Sequence, residues 1–137
     1  EGNHRMFFGI FEELMHWGGC DAVLILGVLG RRYAARDRVR AAKAADPNAQ
    51  PEFFDQIVKM LDDFEGMFLG HIVELMEKYQ KPVVCVPINS DEKKDKTLYK
   101  IGESRYKSVV FTTPERAIKS LSKMVEYKKF LVRDNRK

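Results

Sequence analysis

Three short runs of almost unbroken apolar residues limit what this chain can fold into: DAVLILGVLG (21–30), KPVVCVPI (81–88) and SVVF (108–111). A half-buried strand alternates apolar with polar residues. A run without alternation must be covered on both faces, as in a parallel sheet between helices. Residues 31–80 separate the first two runs, and a crossover of that length joins parallel strands. The chain therefore predicts an α/β fold, an open parallel sheet of about three strands with helices on both faces.

Helix signals fill the connections. In GNHRMFFGIFEELMHWGG, Asn3 is a suitable cap, and Met6, Phe7, Ile10, Phe11, Leu14 and Met15 make one apolar stripe. Gly18 and Gly19 end it. A helix rich in arginine and alanine is predicted over 31–45, then a proline-bracketed turn at 46–51. A long helical pattern follows from Glu52 to Gln80, in which Gly66 and Gly70 would allow a kink or a close backbone approach. The polar stretch 89–104 reads as a loop, mobile over 89–97. After the third run, Thr113 can cap a helix, Pro114 suits its first position and Glu115 suits its positive end. Ala117, Ile118, Leu121, Met124, Val125 and Leu131 then share one helical face. Residues 132–137 are expected as a frayed basic tail.

With 137 residues the chain is expected to be a single domain over 1–137. No apolar run approaches the roughly 20 residues of a membrane span, and no signal peptide is visible, so a cytoplasmic protein is expected, without membrane contact. Cys20 and Cys85 are expected as buried reduced thiols. The net charge of +4 is concentrated. Segment 31–43 holds six basic residues and one acid, and 128–137 holds five and one. No aromatic-studded basic strand accompanies them, so 31–43 reads as a solvated helix face and nucleic acid is not an expected partner. On that reading, Glu at Arg32, Arg36 and Arg40 would leave the fold intact.

The chemistry-bearing residues do not assemble into an active site. His4, His16 and His71 have no metal-ligand spacing with each other or with the cysteines. No dinucleotide, P-loop or nucleophile-elbow motif is present. Glu12-Glu13 and Asp62-Asp63 are neighbours pointing about 100° apart on a helix, which suits solubility better than an acid/base pair. One turn stands where open α/β sheets bind ligands: Gly27 and Gly30 bracket the carboxyl end of the first strand.

With those residues in hand, DAVLILGVLG, IVELMEKYQKPVVCVPI and VVFTTPERAIKSLSKMVEYKKFL resemble the last flavodoxin-like domain of the synthetase subunit in NDP-forming acyl-CoA ligases. That group includes ADP-forming acetyl-CoA synthetases and, more distantly, succinyl-CoA synthetase. The most specific feature is the strand, the Thr-Pro-Glu-Arg-Ala turn and a helix ending in Tyr-Lys-Lys-Phe-Leu. The likeness covers roughly 5–29 and 72–131, while 31–70 departs from it by a longer connection. It implies a flavodoxin-like sheet, here the C-terminal three-strand part of a five-strand domain. It also implies a reaction in which acyl-CoA, nucleoside diphosphate and phosphate interconvert with acid, CoA and nucleoside triphosphate.

The phosphoryl group of that reaction travels on a histidine of a companion domain, and no histidine here has matching neighbours. What the resemblance assigns to this chain is a helix amino end facing the phosphohistidine, at Gly2, Asn3 and His4. No catalytic or metal residue is expected. The domain alone binds no cofactor; CoA, nucleotide and Mg belong to the whole enzyme. CoA-binding, phosphohistidine and ATP-grasp domains are the implied partners. A homodimer is expected through the first strand, whose apolar edge no lysine or proline guards. Two alternatives stand beside this reading: a stand-alone flavodoxin-like binding or receiver-type module, and a basic nucleic-acid-binding domain. A receiver needs acids at strand ends, and only Asp21, at a strand start, is near one.

Overall fold

The computed structural model describes residues 2–46, 51–90 and 97–134; the side chains of 2–5 and of Pro51 lie outside that description. In chain order the elements are α1 (Gly2–His16), β1 (Val23–Leu26), α2 (Arg31–Ala45), α3 (Pro51–Tyr79), β2 (Val83–Val86), β3 (Leu98–Lys100), β4 (Lys107–Val110) and α4 (Pro114–Asp134). The sheet runs β1-β2-β4-β3. β1 and β4 flank β2 in parallel, with Ile25 beside Cys85 and Val84 beside Val109. This is the open, mostly parallel α/β sheet that the apolar runs predict, and it is consistent with the flavodoxin-like fold that the resemblance implies.

One strand more is present than the sequence predicts. Leu98–Lys100, placed in the polar loop 89–104, pairs antiparallel with β4, with Tyr99 beside Ser108. Its side chains alternate outward, inward and outward, so a strand of one-sided burial stands in otherwise polar sequence. Gly102, at φ 52°, serves the turn into β4. The proposed mobile stretch is described only at Asn89, Ser90 and Thr97, since 91–96 lie outside the described residues.

Every side chain of β2 is buried, which is why its sequence is apolar on both faces. Val83, Cys85 and Ile25 face α1 and α3, where Phe68, Ile72, Val73 and Met76 fill the main core. Val84 and Val86 face α4 through Ala117, with Leu24, Val109 and Leu121 against them. Phe7, Phe11 and Phe68 meet edge to face or tilted at centroid separations of 5.0–5.9 Å, joining α1 to α3.

Three local expectations change. α1 begins at Gly2, so Asn3 lies inside its first turn and not at a cap position. Gly66 has no atom within 4 Å of an added Cβ, and Gly70 would make only an ordinary contact with Ile101, so neither marks a close backbone approach along α3. Residues 132–134 continue α4 and are not a frayed tail, while 135–137 lie outside the described residues.

Both cysteines are free, but only Cys85 is buried. The Cys20 thiol is half-buried and donates to the Leu14 carbonyl at 3.1 Å. Burial pushes the Cys85 thiol up to about 12, so almost no thiolate exists near neutral pH. Iodoacetamide at pH 8 is therefore expected to label Cys20 well before Cys85 in native protein, read by peptide mass spectrometry. Equal labelling rates would contradict the buried placement of Cys85.

Candidate functional site

The carboxyl ends of β1, β2 and β4 lie on one side of the sheet because the three strands are parallel. Gly27 (φ 74°) and Gly30 (φ 84°) turn the chain from β1 into α2, conformations that cost a residue with a Cβ about 1–2 kcal/mol. A Cβ on Gly30 would also fall 2.0 Å from the Asn89 carbonyl oxygen. The two loops are joined beside that point, where the Ile88 N–H donates to the Leu29 carbonyl at 2.9 Å. Gly30 is thus required by a backbone contact between loops. The cavity among Leu29, Gly30, Glu65, Asn89 and Tyr99 is about 20 Å³. It has the scale of one water molecule and no room for a nucleotide.

Glu65 is a residue that sequence reasoning missed. Its side chain is 3% exposed. One oxygen accepts from the Gly30 N–H at 2.8 Å, and the other is paired with the Arg32 guanidinium. A buried carboxylate needs partners of this kind. Its position on α3 carries no local signal, because Gly30 and Arg32 are more than thirty residues earlier.

Around this carboxyl end the helix amino ends differ. At α2, Gly30 supplies no side-chain cap, and Glu65 already places a carboxylate there. At α4 the Thr113 hydroxyl accepts from the Arg116 N–H at 3.3 Å, as the sequence predicts for a cap, and Arg116 donates to Thr112 at 2.9 Å. The Glu115 carboxyl is held below its usual range by its own backbone N–H and by the Thr113 hydroxyl. α4 therefore also has a carboxylate in its first turn.

α1, like α2, has no acid of its own in its first turn. The aromatic contacts locate its amino end. Phe7 lies 5.9 Å from Phe64, which is next in sequence to Glu65 and hence level with Gly30. The backbone of Gly2, Asn3 and His4 opens the helix there, on the same side of the sheet as Gly27 and Gly30. The structure brings the proposed helix end and the proposed strand-end turn to one side of the molecule.

Segment 31–43 is a clamp as well as a solvated face. Arg32 reaches Glu65 and lies 3.6 Å from Asp62; Arg36 meets Asp62 at 2.9 Å, and Lys43 meets Asp55 at 3.5 Å. Asp62 therefore ties α2 to α3. Glu12 similarly ties α1 to α3, accepting from Lys78 at 2.5 Å and from the Tyr79 hydroxyl at 3.2 Å. Those bonds lower the Glu12 carboxyl, Lys78 first, and Glu12 in turn raises the Lys78 ammonium. The expectation that Arg32, Arg36 and Arg40 are interchangeable with Glu is opposed at Arg32 and Arg36, where reversal would set a carboxylate against Glu65 and Asp62. Arg40 remains exposed beside Asp37.

His71 sits beside Phe8, with Nδ1 3.7 Å from Glu74 and a buried Nε2 that has no hydrogen-bond partner among the described residues. His16 is exposed near Tyr79. Among the described residues no group of three His, Cys, Asp or Glu side chains could hold a metal ion, and no helix is long and apolar enough to cross a membrane. Comparison of the chain with family profiles, with curated proteins and with solved structures finds no match.

Proposed function

We propose that the chain is a non-catalytic docking and phosphate-facing domain of an NDP-forming acyl-CoA ligase, working in the cytoplasm with companion domains. The observation that supports this reading is the amino end of α1 on the carboxyl side of the sheet, with no acid in the first turn that begins at Gly2, whereas the amino ends of α2 and α4 have carboxylates against them. Free N–H groups and the helix dipole favour an anion at such an end. In this role the backbone of Gly2, Asn3 and His4 faces a phosphoryl group held by a histidine of another domain. CoA, nucleotide and Mg are left to the CoA-binding, phosphohistidine and ATP-grasp domains.

Two measurements test it. The purified chain should give no CoA-dependent nucleotide turnover. Joined to the companion domains, Asn3→Glu should slow phosphoryl transfer at least about tenfold, because a carboxylate would then sit where the phosphoryl group is expected. Turnover by the chain alone, or an assembled enzyme indifferent to Asn3→Glu, would refute the proposal.

The free edge of β1 adds a partner. Val23 and Gly27 donate to β2, so the N–H groups of Leu24 and Leu26 point away from the sheet. A second copy pairing there would satisfy them. Light scattering at micromolar concentration should then give the mass of a dimer, and a monomer mass would exclude it.

A further inference from the structure

α4 is longer than the sheet it packs on. Its 21 residues span about 32 Å at 1.5 Å per residue, whereas a four-residue strand spans about 13 Å. Only Ala117 is buried along it, and Leu121 is half-buried beside it. The same stripe then continues past the amino ends of β1 and β2 as Met124, Val125 and Val132, which are 56%, 51% and 48% exposed. Between the overhanging helix and Ala22 and Pro82 lies a groove of about 760 Å³.

The charges beside this groove identify what fits it. Lys81, Lys128, Lys129 and Arg133 line it, against a single acid, Asp21. Lys81 donates to the Trp17 carbonyl at 2.6 Å. Among the described residues Lys128, Lys129 and Arg133 have no ion-pair partner, in contrast to the paired cations of α2. A second copy would bring its own α4 lysines towards these, and like charges oppose that contact. An apolar floor bordered by unpaired cations complements a helix with leucine-like residues on one face and carboxylates beside them.

We infer that the groove between the C-terminal half of α4 and the amino ends of β1 and β2 is a docking site for an acidic amphipathic helix of a partner protein. The site is on the opposite end of the sheet from the Gly27–Gly30 turn, so it stands whether or not the ligase reading holds. The partner's apolar face would cover Met124, Val125 and Val132, and its carboxylates would meet Lys128, Lys129 and Arg133.

A fluorescent five-turn helical peptide of leucine and glutamate provides the probe. Its lysine-for-glutamate counterpart and vesicles of equal parts phosphatidylcholine and phosphatidylglycerol provide the rival arms. Using the full chain, the acidic peptide should bind saturably, shift the methyl resonances of Met124 and Val132, and outcompete the vesicles. The double variant Lys128→Glu, Arg133→Glu alters exposed side chains only, and a far-UV CD spectrum matching the parent's will verify its fold. It should weaken peptide binding at least about tenfold. Equal binding of both peptides, preference for vesicles, an unaffected double variant, or no peptide binding at all would each overturn the inference.

Discussion

Replacing Gly30 by alanine is expected to cost about 3 kcal/mol or more, while the same change at Gly27 should cost only about 1–2 kcal/mol. Both glycines have positive φ, so both substitutions carry the left-handed penalty. The surroundings differ. An added Cβ at Gly27 has no atom within 4 Å, whereas at Gly30 it would lie 2.0 Å from the Asn89 carbonyl oxygen. That neighbour is backbone, so relief requires the β1–α2 turn or the segment after β2 to move. Movement would strain the Ile88-to-Leu29 hydrogen bond and the Gly30-to-Glu65 bond together. Urea denaturation of the two single variants measures the difference at constant slope. Equal midpoints would mean that the loop contact is soft and that only backbone conformation constrains Gly30.

Gly30 also illustrates which parts of the molecule could be read from sequence. A glycine at the end of an apolar run is a local signal, and so were the continuous apolarity of β2, the bounds of α2 and the Thr113 cap with Pro114 behind it. The features that lack a local signal depend on distant residues. Tyr99 makes β3 a strand because β4 offers it an edge, and three alternating residues inside a polar segment are too few to announce it. The arginines of α2 appeared solvated because their acids, Asp62 and Glu65, belong to another helix. The apolar stripe read along α4 holds at Ala117 and Leu121, which pack on the sheet, while Ile118 and Leu131 are exposed; periodicity cannot reveal where the underlying sheet stops. Ala117 is buried and Met124 is not, for that reason alone.

Removal of the Glu65 carboxylate should be the other strongly destabilising change, about 3 kcal/mol for Glu65→Ala. Two losses combine in it. The Gly30 N–H would lose its acceptor in a buried position, and Arg32, whose side chain is 21% exposed, would lose its nearest carboxylate while keeping Asp62 at 3.6 Å and the Tyr33 hydroxyl at 3.1 Å. Glu65→Gln separates these contributions, because its amide oxygen can still accept from Gly30 while its charge is gone. If the N–H acceptor dominates, Glu65→Gln should recover at least about half of the loss; if the ion pair dominates, it should recover little. Combining either change with Arg32→Met closes a double-mutant cycle, with an expected coupling of about 1 kcal/mol or more between Arg32 and Glu65. A loss below about 0.5 kcal/mol for Glu65→Ala would place this carboxylate among ordinary surface acids. Glu65 would then no longer hold the turn after β1 against α3, nor account for the α2 amino end being already occupied. The contrast with α1 that supports the phosphate-facing role would weaken with it, so this stability measurement also bears on function.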